Sequence, residues 1–252
     1  MRRSGWQVRS LIMGSLLLPA ACVWAQEGGI PSISLKVGSA AKAGDISSSL
    51  QIIFLLTILS LAPSIVMLLT SFSRIVIVLG FTRSAMGTQQ IPPNSILIGL
   101  ALFLTVFTMQ PTFNKINTTA LQPYLAHKVD FQTAQQRAML PVRDFMFRQT
   151  READLQLFVD MGRVKRPRFL SDVPTYVLVP AFIISELKTA FTMGFLIYIP
   201  FVIIDLVVAT VLMSLGMMMM PPVMISLPCK LLLFTLIDGW SQIAHSLVAS
   251  FH

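Results

Sequence analysis

An uncharged stretch from Ile46 to Ser73 constrains this chain more than any other feature of its sequence. A helix of about 20 apolar residues crosses the hydrocarbon core of a bilayer, so this stretch is long enough to do so. The composition of the whole chain is also apolar, because only 12% of its 252 residues are charged and 54% are hydrophobic. Soluble domains carry about 25% charged residues. The sequence therefore predicts a membrane protein and excludes an ordinary soluble enzyme and a disordered chain.

The N-terminus has the three-part order of a secretory signal peptide. Three arginines precede the apolar stretch Leu11–Leu18, and small residues follow up to Ala25. Because this apolar stretch is too short to span a bilayer, we predict a signal peptide over residues 1–25, with an uncleaved anchor as the alternative. Residues 26–45 are rich in glycine, serine, alanine and lysine, which predicts a flexible exported tail.

Three blocks follow the tail. Residues 46–110 are predicted to form the N-terminal apolar helices, and Pro111 is expected to end the last of them. Residues 111–173 hold ten of the nineteen basic residues and six of the eleven acidic ones, which indicates a water-exposed helical region. Residues 174–252 are apolar again, with charges and prolines between the apolar runs.

The charged block is predicted to be an extracytoplasmic helical hairpin with one apolar seam. Pro141 is expected to open a helix that runs toward Gly162. A signal peptide and two crossings place this block outside the cytoplasm, whereas the positive-inside rule would keep it inside; the block is about as long as the loops for which that rule loses force. Its basic cluster, residues 163–168, lacks interleaved aromatic residues, which favours solvent or lipid headgroups over nucleic acid.

Charged residues divide the C-terminal third into apolar runs that end at Glu186, Asp205 and Lys230. Hydropathy alone predicts about four spanning helices in the chain, and only the first meets the length and charge rules cleanly.

Motifs for catalysis, nucleotide binding and metal binding are absent from the sequence. There is no G-x-x-x-x-G-K-[ST], no G-x-G-x-x-G, no C-x-x-C, no H-E-x-x-H and no G-x-S-x-G. The three histidines are scattered without ligand spacing. We therefore expect no catalytic residue, no cofactor and no metal.

Charges among the apolar runs are the first candidate functional residues. An isolated charge at the centre of a membrane helix costs about 2.5–3.5 kcal/mol or more, so such groups must face one another, water or another subunit. They are Arg74, Glu186, Lys188, Asp205, Lys230 and Asp238. Structural ion pairs and a proton or substrate relay are both open interpretations. Glu186 and Lys188 cannot share a helix face, and Lys230 is the best opposite charge for Glu186.

Four successive methionines, Met217, Met218, Met219 and Met220, are the second candidate. They lie between Gly216 and the prolines Pro221 and Pro222, so they are expected in a broken-helix loop at apparent membrane depth. Irregular backbone at that depth is tolerated only where it is buried in protein or lines a watery cavity. Repeated around a symmetry axis, flexible thioethers can form a soft gasket that closes a pore. A methionine-rich patch facing lipid or core is the alternative.

Several segments of this chain carry a specific family pattern. They are Ser73–Val78, Gly87–Asn94, Val179–Lys188, Gly216–Pro222, Ser226–Leu231 and Asp238–Trp240. Together they resemble the FliP/SctR family of type III secretion export-gate proteins, and its flagellar branch most closely. The resemblance covers roughly residues 46–251.

The resemblance implies an all-α subunit that assembles as a pentamer with FliQ-like and FliR-like proteins into one helical export gate. Much of that assembly lies at or above the outer face of the membrane. The family's methionine loop falls on Met217, Met218 and Met219, and closes the channel for unfolded flagellar subunits. Its ion pair between subunits falls on Glu186 and Lys230. Met220 stands where a branched aliphatic residue is usual in the family.

The sequence thus predicts a non-enzymatic subunit of the flagellar export gate, built from membrane-associated helical hairpins with broken helices. We expect it in the bacterial inner membrane, within the flagellar basal body, in contact with lipid. The alternative is a small-solute or ion transporter that uses Glu186, Lys188 and Asp205 as a relay. A secondary transporter should show an internal repeat, and the sequence contains none that we detect.

Overall fold

The computed structural model describes residues 43–88, 90–163, 169–217 and 219–251. All regular structure in these ranges is helical, which confirms the all-α class. The predicted signal peptide, 1–25, and nearly all of the predicted tail, 26–45, lie outside the described residues. The helices are, in chain order, α1 (Ala43–Leu68), α2 (Phe72–Ala85), α3 (Asn94–Ile116), α4 (Gln122–Leu125), α5 (Phe131–Gln149), α6 (Glu152–Met161), α7 (Thr175–Ser214), α8 (Val223–Leu236) and α9 (Gly239–Ala249).

The chain divides into two units, residues 1–49 and 50–252. Of the first unit, only the start of α1 is described, and α2 to α9 all belong to the second unit. A π-helical segment, Asn117–Leu121, joins α3 to α4, and a short 3₁₀ turn, Leu170–Asp172, precedes α7.

The first apolar segment is a broken helix rather than the straight span that its lack of charge predicts. α1 and α2 meet at 67°, and the break falls on residues 69–71. The Thr70 hydroxyl donates to the carbonyl oxygen of Met67 at 3.3 Å, and the Ser71 hydroxyl lies 2.6 Å from the hydroxyl of Thr108 on α3. The Thr70 hydroxyl therefore satisfies a carbonyl in the last turn of α1, and the Ser71 hydroxyl joins the break to α3.

Among the described residues, two helical stretches are long and apolar enough to cross a membrane, namely residues 94–125 and α7. Up to four spans result if each of two bent helix pairs counts as one. The expected stop at Pro111 is wrong, because α3 continues through this proline to Ile116. A proline removes one backbone hydrogen bond, and packing of the flanking turns can hold the helix together across that gap.

α7 also corrects the prediction that charges divide the C-terminal third. It is one helix of 40 residues that runs through Glu186, Lys188 and Asp205. At 1.5 Å per residue it is about 60 Å long, twice the thickness of the hydrocarbon core. A membrane crossing would need only about half of α7, so charges on the rest need not interrupt the helix.

The charged block, 111–173, contains the end of α3, the π-helical segment and α4, followed by its two longest helices, α5 and α6. The expected helix start at Pro141 is wrong, since α5 begins at Phe131 and carries Pro141 in its interior. A helix does end before Gly162, but it is α6, because the single helix predicted from Pro141 is interrupted at residues 150–151. Both helices pack on α7 rather than mainly on each other, so the block is not a self-contained hairpin.

Two clusters of buried side chains hold the second unit together, and α7 runs through both. The first cluster joins α2, α3, α7, α8 and α9, and the second joins α3, α5, α6 and α7. Phe251, after α9, packs against both clusters. The C-terminal segment therefore lies at the junction between the apolar helices and the charged block.

Gly194 on α7 lies directly against the Phe81 side chain of α2, and this contact gives a first prediction. A Cβ atom at this position would overlap the ring of Phe81, whereas a Cβ at Gly99 on α3 would meet nothing within 4 Å. We expect Gly194→Ala to lower the free energy of unfolding by about 1–3 kcal/mol through overpacking. Gly99→Ala, the matched control, should raise it by up to about 1 kcal/mol. Denaturant unfolding in detergent measures both, and equal effects would contradict the close approach.

Candidate functional site

The methionine loop, residues 217–220, begins where a glycine ends α7. Gly216 has a φ of +75°, a left-handed conformation that glycine adopts without a steric penalty. The Gly216 amide donates to the Met213 carbonyl, and the Met217 amide donates to the Leu212 carbonyl, each at 3.1 Å. These two bonds form a Schellman motif, which caps the helix and turns the chain away from its axis. The predicted helix end at Gly216 is confirmed.

Two prolines set the other end of the loop. Pro221 and Pro222 precede the first residue of α8, and the Ser226 amide donates to the Pro222 carbonyl at 2.9 Å. Within the loop, the side chain of Met219 is 99% exposed, while Met217 and Met220 are each 40% exposed. Met218 lies outside the described residues. The loop thus presents exposed thioether side chains at the tip of the α7–α8 hairpin.

Glu186 on α7 pairs with Arg74 on α2 inside the chain. Arg74 donates through Nε to Glu186 at 2.9 Å and through Nη2 to its other carboxylate oxygen. The two side chains are only 3% and 1% exposed. Arg74 also donates to the carbonyl and the hydroxyl of Ser250 and to the side chain of Gln149, each at 3.0 Å. Its guanidinium carbon lies 3.9 Å from the ring centroid of Phe251. Arg74 therefore links α2, α5, α7 and the C-terminal segment.

Lys188 points away from Glu186, as their spacing predicts, and pairs with Asp154 on α6. Asp154 is buried, although Lys188 is half-exposed. Sequence reasoning missed Asp154 because it lies in the charged block and so resembles a solvated residue. The available signal was its position four residues before Phe158, on the face of α6 that packs into the second cluster.

Lys230 on α8 pairs with Asp205 on α7, with Nζ and Oδ2 2.5 Å apart. The Lys230 side chain is 8% exposed and that of Asp205 is 42% exposed. Asp238, the remaining predicted charge, lies exposed in the turn between α8 and α9 with a φ of +51°. Aspartate tolerates this left-handed conformation better than most residues.

Within one chain, then, Glu186 and Lys230 have different partners. The contact predicted between Glu186 of one subunit and Lys230 of the next concerns an assembly, and it stays a prediction. Glu186 and Asp205 lie nineteen residues apart on one helix, or about 28 Å at 1.5 Å per residue. The three charges of the alternative relay therefore form separate pairs. Among the described residues, no three His, Cys, Asp or Glu side chains are grouped so as to hold a metal ion.

Comparison with known sequences identifies the family of this chain. The sequence model of the FliP family matches residues 55–247, which is most of the chain. The chain belongs to the FliP family. It is 52% identical to the flagellar biosynthetic protein FliP of Bacillus subtilis over 86% of this chain and 98% of that protein. It is 48% identical to the protein of the same name from Caulobacter vibrioides, over 94% and 89% of the two chains. The match to FliP of Aquifex aeolicus is 46% identical over 94% and 97%.

These matches confirm the predicted family. The family match begins before α2 and ends within α9, so it covers the methionine loop, the charged block and the pairs Arg74–Glu186, Lys188–Asp154 and Asp205–Lys230.

Proposed function

We propose that this chain is a subunit of the protein-conducting gate of the flagellar type III export apparatus, and that its methionine loop closes the channel. Its relatives are named flagellar biosynthetic proteins, which supports a role in building the flagellum. The observation that carries the gate is the loop of residues 217–220 at the hairpin tip, with Met219 fully exposed. Thioether side chains are apolar and deformable, so they can seal against ions and still yield to an unfolded polypeptide.

This role requires an oligomer, because one loop cannot close a pore. Only 11% of the most apolar window of α7 is buried within the chain, and α1 exposes large side chains along most of its described length. An apolar surface of this extent is covered by lipid or by other subunits. We propose sister subunits in a pentamer, together with FliQ-like and FliR-like proteins, as the cover for most of it.

The proposed location is the bacterial inner membrane, within the flagellar basal body. The charged block, with α5 and α6 packed on the first part of α7, is proposed to lie on the extracytoplasmic side. The length of α7 supports this placement, since about 60 Å of helix reaches well beyond the hydrocarbon core. Energy for transport is proposed to come from other parts of the apparatus.

Deletion of Met217–Met219 tests the gate. We expect assembled complexes that carry the deletion to conduct small ions continuously, because the side chains that seal the pore are gone. Conductance across a planar bilayer or the cell membrane measures the leak. The matched control is Met213→Ser together with Met224→Ser, which removes exposed methionines from the flanking helices and leaves the loop intact.

Assembly must be measured beside the leak. Native mass measurement of the gently purified complex should give the same oligomer for the deletion, the control and the parent chain. A tight membrane with normal assembly would remove the gasket role. A parent chain that purifies as a solitary monomer would remove the whole proposal.

A further inference from the structure

We infer that Asp205 and Lys230 form a latch that positions the methionine loop. This inference rests on the proposed function of the loop and adds residues that hold it in place. The latch comprises the carboxylate of Asp205 on α7, the ammonium of Lys230 on α8 and the hydroxyl of Ser226, which faces the same carboxylate from one turn earlier on α8.

The buried face of α8 shows why these few atoms matter. Its buried side chains are Ser226, Lys230 and Phe234, which follow one another at intervals of four and so lie on one face. Two of the three are polar, and both face Asp205. Hydrophobic contact is non-directional, so it does not by itself fix how α8 is rotated or where it lies along α7. The polar contacts of Ser226 and Lys230 with Asp205 are directional and therefore fix both.

The register of the hairpin supports the same conclusion. Phe234 packs on Phe201 of α7 with ring centroids 6.1 Å apart, and Lys230 meets Asp205 one turn nearer the loop on both helices. Beyond Asp205 on α7 and Ser226 on α8, Leu212 is the one further buried residue toward the loop in the described parts of the two helices. Among the described residues, the latch of Asp205, Lys230 and Ser226 is therefore the last polar contact between α7 and α8 before the methionines.

Burial makes the pair costly to break. Lys230 is 8% exposed, so loss of its partner leaves an ammonium group with little water. α8 can bring the Lys230 ammonium back to water by rotating or by moving away from α7. Either movement displaces the methionine loop, which precedes the start of α8. The latch thus couples a single charge pair to the position of residues 217–220.

A spin label at position 219 tests the latch without relying on ion conduction. The experiment uses the assembled complex with Cys22 and Cys229 replaced by serine and Met219 replaced by a labelled cysteine. We expect Asp205→Asn to raise the mobile fraction of the label about ten-fold, the factor that corresponds to 1.4 kcal/mol. The exchange Asp205→Lys with Lys230→Asp should restore the immobile spectrum, because it re-forms the pair with reversed polarity.

Asp144→Asn is the matched control, since it breaks the exposed pairs of Asp144 with Lys115 on α3 and with Arg148 on α5. It should leave the label unchanged. An unchanged spectrum in Asp205→Asn, or a mobile label in the charge exchange, would overturn the latch. The ion leak of the Met217–Met219 deletion is measured separately, so a failure of the gasket role and a failure of the latch give different results.

Discussion

Replacing Arg74 with methionine should lower the free energy of unfolding of the chain by about 3–5 kcal/mol. The variant leaves the Glu186 carboxylate in a site where its side chain is 1% exposed, with the guanidinium that pairs with it removed. Breaking one half of a buried ion pair is costly because the remaining charge keeps neither water nor a counter-charge. Arg74 also holds Ser250 and Gln149, so the variant loosens the C-terminal segment as well.

The double variant Arg74→Met with Glu186→Met separates these effects. It removes both charges together, and apolar side chains of similar volume often replace a buried ion pair without loss of stability. We therefore expect it to recover most of the stability lost in Arg74→Met. Denaturant unfolding in detergent gives the free energies.

An exposed pair provides the control for this comparison. Lys115→Gln removes a contact whose side chains are 56% and 53% exposed, and it should cost less than about 1 kcal/mol. If Arg74→Met lowers the free energy of unfolding no more than Lys115→Gln does, the pair between Arg74 and Glu186 does not contribute to stability as a buried ion pair should. A double variant as unstable as Arg74→Met would assign the effect to the contacts with the C-terminal segment instead.

The helical class and the end of α7 could be predicted from the sequence because both depend on local chemistry. Gly216 and the prolines that follow the methionines dictate backbone angles by themselves, and the structure has the helix end where they place it. The spacing of Glu186 and Lys188 likewise directs them to different partners. Such features need no knowledge of the neighbouring helices.

The partners of the charges could not be predicted in the same way. Glu186 meets Arg74, which is 112 residues away in sequence, and Lys188 meets Asp154 on a helix that composition assigns to solvent. Helix continuity failed for a related reason: α3 and α7 run through proline and charge because other helices pack on them. Long-range packing decides these features, and the sequence pattern of one segment does not contain it.

The predicted contact between Glu186 and Lys230 of neighbouring subunits can be decided by a double charge exchange. If that contact holds the assembly, Glu186→Lys should prevent assembly and Lys230→Glu in the same chain should restore it. The pairs within the chain predict the opposite result. In the double exchange the new ammonium at position 186 would face Arg74, and the new carboxylate at position 230 would face Asp205, so both pairs become like charges.

We expect the double exchange Glu186→Lys with Lys230→Glu to assemble less well than either single variant. Glu186 is buried and accepts two hydrogen bonds from Arg74, so like charges there act on the fold of every subunit before any subunit contact forms. Two further exchanges serve as matched controls: Arg74→Glu with Glu186→Arg, and Asp205→Lys with Lys230→Asp. Each re-forms one pair within the chain with reversed polarity. Each should therefore assemble better than its own single variants, as measured by native mass. Recovery by the Glu186–Lys230 exchange, with none from these two, would instead establish the contact between subunits as the dominant one.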